Sequence, residues 1–135
     1  MAGYSGTPLA KKLGIKENHR VLLVNPPEGF ATTLDGLPET ATITTRAAKQ
    51  HDIIILFAKD SRALEKAFAA AHNRLEQNGG LWVAWPKKTS GVKTDLTENM
   101  VRDMALAAGL VDNKVCAIDE VWSGLRLVVR LKDRK

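Results

Sequence analysis

The chain has 135 residues, of which 44% are hydrophobic and 26% charged; this is the make-up of one globular domain and excludes a disordered chain. Twenty Lys and Arg against fifteen Asp and Glu leave a formal net charge of +5, which suits an anionic ligand, nucleic acid or an ordinary solvated basic surface. No run approaches the ~20 apolar residues of a membrane helix, the opening MAGYSGTPLAKK lacks the apolar centre of a signal peptide, and one cysteine, Cys116, excludes an internal disulfide framework, so the expected compartment is the cytoplasm.

Thr7-Pro8 opens a short helix, with Thr7 as cap and Pro8 at the first helical position, where no amide hydrogen is needed. Gly14 ends it. Arg20 to Asn25, RVLLVN, is a continuous apolar run, as expected of a strand covered on both faces. NPPEG breaks the run, and a short helix is expected from Glu28 to Leu34. Ala41 to Thr45 is a weak strand, and Asp52 to Ala58, DIIILFA, the strongest one.

The best helix runs from Arg62 to Gln77, capped by Asp60 or Ser61. Leu64, Ala67, Phe68, Ala71 and Leu75 fall on one face at helical spacing. Asn78-Gly79-Gly80 ends it, and Leu81 to Trp85 is a buried strand. After the loop PKKTSGVKT, Asp95 is expected to cap a helix through Ala108, with Glu98 completing a capping box. Met100, Val101, Met104 and Ala105 form its inner face, and Gly109 closes it. Two strands finish the chain, Lys114 to Trp122 and Leu125 to Lys132. Ser123-Gly124 between them reads as the turn of an antiparallel hairpin.

Strands alternating with helices, with runs such as LLV and IIIL that need cover on both faces, imply a three-layer α/β/α sandwich. Right-handed crossovers restrict the path. The expected sheet has about six strands in the order 2-1-3-4-6-5, the last antiparallel, in a single Rossmann-like domain over residues 1–135. Residues 1–19 supply an N-terminal arm and the short helix. Ligands in such sheets sit at the carboxyl ends of the strands, at the switch point between strands 1 and 3.

The succession DIIILF, helix, NGGLWVAW, helix, VCAIDEVW, turn, LRLVVRLK resembles a shortened class I methyltransferase sheet over Asp52 to Lys132. A closer resemblance, nearly end to end, is to a small bacterial family known as domain of unknown function 3052. It is carried by LAKKLGIK, by the loop WPKKTSGVKTDLT before a helix, and by the closing DEVWSGLRLV. That resemblance implies a fold and contributes no catalytic residue.

A methyltransferase needs a glycine-rich turn after strand 1, where backbone amides approach the cofactor. Here the turn is Asn25-Pro26-Pro27-Glu28-Gly29. Its two prolines have no amide hydrogen, and no G-x-G is present. Thr44-Thr45-Arg46 stands where an acidic residue would meet a ribose. No cofactor is therefore expected, and the turn is either a remodelled pocket or a stiffened structural loop.

A second candidate is the loop Lys87-Lys88-Thr89-Ser90-Gly91-Val92-Lys93-Thr94, whose ammonium and hydroxyl groups run into a helix N-terminus and favour an anion. It is not a Walker A loop, because Val92 follows Gly91 where lysine is required. As the expected cap, Asp95 would occupy that helix end and repel an anion. A solvated rim is the competing reading.

Asp119-Glu120 could supply acid/base chemistry, yet neighbours on a strand point to opposite faces, so at most one can enter a cleft. Trp122 is expected to pack against a helix. His19, His51 and His72 show no metal-ligand spacing, and Cys116 reads as inert packing in an apolar strand. Tyr4 and Ser5 of the arm are candidates to cover a neighbouring surface.

The ligand-binding candidates are thus Asn25, Glu28, Gly29 and Lys59 with Lys87, Lys88, Ser90, Lys93 and Thr94, all expected on one rim of the sheet. The favoured role is binding of a small anionic ligand or a protein partner, without a catalytic centre. The alternatives are a divergent S-adenosylmethionine-dependent methyltransferase and a nucleic-acid-associated basic protein.

Overall fold

The computed structural model describes residues 7–135; Tyr4 and Ser5 lie outside them. Six strands form one sheet in the order β2-β1-β3-β4-β6-β5. They are β1 (Arg20–Val24), β2 (Thr42–Thr44), β3 (His51–Phe57), β4 (Leu75–Pro86), β5 (Leu110–Ala117) and β6 (Trp122–Val129). β2, β1, β3 and β4 are mutually parallel, and β6 runs antiparallel to both β4 and β5. This is the expected Rossmann-like order.

Strand alternation divides the core in two. Leu22, Ile54, Leu56 and Val83 face α2 (Ser61–Asn73) and α3 (Glu98–Ala107), meeting Leu64, Phe68, Val101 and Ala105. Val21, Leu23, Ile53, Ile55 and Trp82 face the other way, onto α1 (Leu9–Lys12) and the 3-10 turn Phe30–Thr33. Both faces of the central strands are buried, which is why their sequences read as unbroken apolar runs. Trp82 is fully buried and donates through Nε1 to Leu13 O at 2.9 Å, fastening the end of α1 to the sheet.

Several elements depart from the sequence reading. Pro8 sits at the cap position of α1, not inside it. The first amides of this helix are met from a distance: Leu9 N donates to Asp35 Oδ1 at 3.1 Å and Ala10 N to Asp35 O. The expected helix over Glu28 to Leu34 is only the 3-10 turn.

α2 stops at Asn73, four residues before Gln77. Leu75 keeps its buried place but belongs to β4, where it pairs with His51 ahead of an irregularity in the β3–β4 ladder. Gly79 is required there, since a Cβ would stand 2.4 Å from Asp52 O. α3 is capped by Thr97, whose Oγ1 accepts from Met100 N at 3.2 Å. Asp95 turns instead to α2, accepting from Ser61 N at 2.8 Å and Ser61 Oγ at 2.5 Å. Met100 is 40% exposed, outside the inner face assigned to it.

The hairpin turn lies at Ile118–Val121, and Ser123-Gly124 falls inside β6. Asp119 Oδ1 makes the turn by accepting from Val121 N and Trp122 N, both at 2.8 Å. Gly124 is needed for packing: a Cβ would meet Ile118 at 2.9 Å and Trp82 at 3.0 Å.

Candidate functional site

The parallel strands bring the ends of β1 and β3 together where the chain path reverses, and a cleft of about 570 Å³ opens there. Asn25, Pro26 and Pro27 form one wall; Lys59, Asp60 and Ala63 form the other. Asn25 adopts a left-handed conformation with φ 54°, and Gly29 does so with φ 76°. Asn is the non-glycine residue that best tolerates this region, so the chain leaves β1 sharply and the prolines hold the exit rigid.

The floor is aromatic. Phe57 and Trp122 meet edge to face with centroids 5.1 Å apart, and Phe30 meets Phe57 in the same manner at 4.8 Å. Trp122 thus packs on Phe57 of β3. Lys59 is exposed and makes no ion pair among the described residues. Asp60, the one carboxylate lining the cleft, caps α2 by accepting from Ala63 N at 2.8 Å. A second groove of about 460 Å³ shares Asn25 and Pro26 and continues over Leu22 and Val24 towards Ala67, Ala70 and Arg74 of α2. At the end of β2, Thr44 Oγ1 accepts from Arg46 N at 3.0 Å, so the strand closes on a hydroxyl and a cation.

The lysine loop opens elsewhere. Lys87 and Lys88 line a separate cleft of about 560 Å³ with Trp85, Thr97, Glu98 and Ser123. Trp122 and Ser123 are consecutive on β6 and point to opposite faces, so β6 contributes to each cleft from a different face, while α2 and α3, which border the two clefts, lie on the same side of the sheet. Ser90 Oγ donates to Lys87 O at 2.6 Å and accepts from Val92 N; Thr94 Oγ1 accepts from Leu96 N. The Ser90 hydroxyl both donates to and accepts from the loop's own backbone, and that of Thr94 accepts from it. Lys93, Glu28 and Gly29 are exposed and line neither cleft. Of the nine candidates, Asn25 and Lys59 share the switch-point cleft, and Lys87 and Lys88 share the other. The displacement of Asp95 to Ser61 leaves the end of α3 without that carboxylate. Glu98 still lines this cleft, with its carboxylate 2.5 Å from Arg102 Nη2.

Asp119 serves the hairpin turn and Glu120 is exposed beside it. Cys116 is half-buried on the edge strand β5, and burial pushes its thiol pKa up. Sequence reasoning missed the aromatic floor. Its two rings lie on separate strands, and no local spacing links Phe57 and Trp122.

A family model described as "Protein of unknown function (DUF3052)" matches residues 27–131. The chain belongs to the DUF3052 family. No curated protein matches this DUF3052 chain significantly in sequence. Among solved structures it is similar to a SAM-dependent methyltransferase from Aquifex aeolicus, at 16% identity and a TM-score of 0.62, covering 90% of this chain and 88% of that one. It is also similar to fibrillarin from Aeropyrum pernix in complex with S-adenosyl-L-methionine, at 14% identity and a TM-score of 0.60, covering 89% and 73%. A precorrin-6y C5,15-methyltransferase from Geobacter metallireducens follows at 10% identity and a TM-score of 0.58, covering 90% and 86%. Likeness at these identities is likeness of fold. Among the described residues, no helix is long and apolar enough to cross a membrane.

Proposed function

We propose that this DUF3052 protein is a cytoplasmic binding domain without a catalytic centre, and that its ligand is a small molecule carrying an anionic group. The observation that carries this reading is the switch-point cleft. It combines an aromatic floor, an exposed amide at Asn25 and an ammonium at Lys59 that makes no ion pair among the described residues, while the one carboxylate lining it there is committed to a helix cap. Pockets of this kind, largely apolar with a few placed polar groups, are the usual form of small-molecule sites. The single cysteine suits a reducing compartment.

A thermal-shift screen with nucleotides and phosphorylated metabolites tests the reading. A ligand at about 100 times its dissociation constant stabilises by ~2.7 kcal/mol. Lys59→Ala should remove most of that gain. A gain unchanged by Lys59→Ala and abolished by Lys87→Ala/Lys88→Ala would move the site to the other cleft. No stabilisation by any anionic compound would refute the proposal.

The second reading is a divergent S-adenosylmethionine-dependent methyltransferase, favoured by the fold of the similar structures. Against it stand the prolines in the β1 turn and the cation at the end of β2. Calorimetry decides: the binding-domain reading expects no saturable uptake of S-adenosylmethionine or NAD below millimolar concentration. Micromolar binding lost on substitution of Gly29 would overturn that expectation and promote the enzyme reading.

A further inference from the structure

β5 and β6 place two cations directly opposite one another. Lys114 pairs with Arg126 in the antiparallel ladder, so their side chains share a face, and Arg126 is in turn opposite Trp82 on the α1 side. Like charges at such positions repel. The register shift between Asp112 and Lys114 creates this pair. An extra residue re-aims the side chains that follow it. Asp112 is thereby turned to the α3 side, 3.2 Å from Arg102 Nε, while Lys114 turns to the α1 side. The only carboxylate of β5 is removed from the cations.

Two more cations adjoin. Lys114 Nζ donates to Lys12 O at 2.8 Å, placing the start of the Lys12 side chain beside it. Arg134 Nε donates to Val129 O at 2.9 Å, and its charge adds to burial in holding the Arg126 pKa down. The Arg126 guanidinium lies over Gly80, where a Cβ would come within 2.4 Å of Nε. It is half-buried and makes no hydrogen bond or ion pair among the described residues. None of these four cations is ion-paired there; Asp133, the nearest acid in sequence to Arg134, is held by Arg130 at 3.2 Å. The face offers charge without an exposed ring, since Trp82 is fully buried, and Val115 points to the other side with its register partner Leu125. Protein interfaces are centred on aromatic or apolar anchors; phosphate backbones need no such anchor and are held chiefly by cations and other hydrogen-bond donors.

We propose that the α1-side face of β5 and β6, built from Lys12, Lys114, Arg126 and Arg134, is a docking surface for a nucleic-acid phosphate backbone, bound without base recognition.

The test is fluorescence anisotropy of a short labelled DNA duplex between about 50 and 200 mM salt, where log K falls by about 0.9 per phosphate contact for each unit of log salt. Four contacts give a slope of about −3.6, and Lys12→Gln/Lys114→Gln should reduce it by about 1.8. Lys114 also steadies α1, so Lys12→Gln/Arg134→Gln is measured beside it, with circular dichroism confirming that each variant is folded. Lys87→Gln/Lys88→Gln on the carboxyl rim should leave the slope unchanged. The proposal is overturned by absence of binding at low salt, by slopes equal in the face variants and the wild type, or by rim variants that weaken binding as much. Equally tight binding to polyglutamate would also overturn it, marking the face as a site for an acidic protein.

Discussion

Phe68→Ala measures how firmly α2 is seated on the sheet. Phe68 is 7% exposed and packs in the core shared by α2, α3 and the sheet. Losing the ring forfeits ~2–3 kcal/mol of apolar transfer free energy. A cavity that closes only partly adds ~1–2 kcal/mol at the usual cost per unit volume. The slight residual exposure and the neighbouring His72 ring, 6.0 Å away, allow some collapse. The expected loss is therefore ~3–4 kcal/mol, a large share of the ~5–15 kcal/mol typical of a domain. Urea unfolding reads it as a shift in midpoint at unchanged slope. Glu65→Ala, on the exposed side of the same helix, should stay within ~0.5 kcal/mol. A loss below ~1 kcal/mol for Phe68→Ala, or equal losses for both variants, would refute this placement of α2.

Thr97→Ala should cost ~1 kcal/mol through loss of the α3 cap; urea unfolding that finds no loss for it, but a loss for Asp95→Ala, would restore Asp95 as the cap. Gly79→Ala should cost ~1–3 kcal/mol because the Cβ meets backbone, whereas Gly29→Ala, at φ 76° with open space around it, should cost only the ~1–2 kcal/mol of the left-handed conformation; thermal unfolding of the two variants ranks them. His51 is buried, with Nε2 accepting from Ala48 N and Nδ1 lacking a partner among the described residues, and burial together with the Arg20 and Arg74 charges lowers its pKa below 6.5. His72 is lowered by burial as well. Well above pH 6.5 both histidines are neutral in the native and unfolded states, and their titration leaves stability unchanged. As pH falls below that value the unfolded chain takes up protons that the native state refuses, so stability should decline until the native pKa values are passed. Urea midpoints between about pH 5 and 7.5 should show the decline and its reduction in His51→Gln; a flat profile would contradict the buried neutral state.

Composition and patterning by themselves determined the layers, the strand order and the direction of the last strand. Runs such as IIIL have no solvent-tolerant face, and a right-handed crossover leaves few ways to bury them. The limits of the elements were decided in three dimensions. Leu75 satisfies the helical spacing of α2, but the ladder with His51 claims its backbone for β4. Ser123-Gly124 has the composition of a turn, yet Gly124 is demanded by Trp82 and Ile118 on neighbouring strands, so Asp119 makes the turn instead. Asp95 and Thr97 are both capable caps, and the choice fell to Ser61, 34 residues away, which binds Asp95. The candidate site divides in the same way. That the Asn25 turn and Lys59 share a rim follows from parallel strands. That Lys87 and Lys88 line a separate cleft does not, because loop direction depends on which helix the loop must reach. The facing cations Lys114 and Arg126 depend on a single extra residue in β5, which no periodicity reveals and which only the register of the paired strands decides.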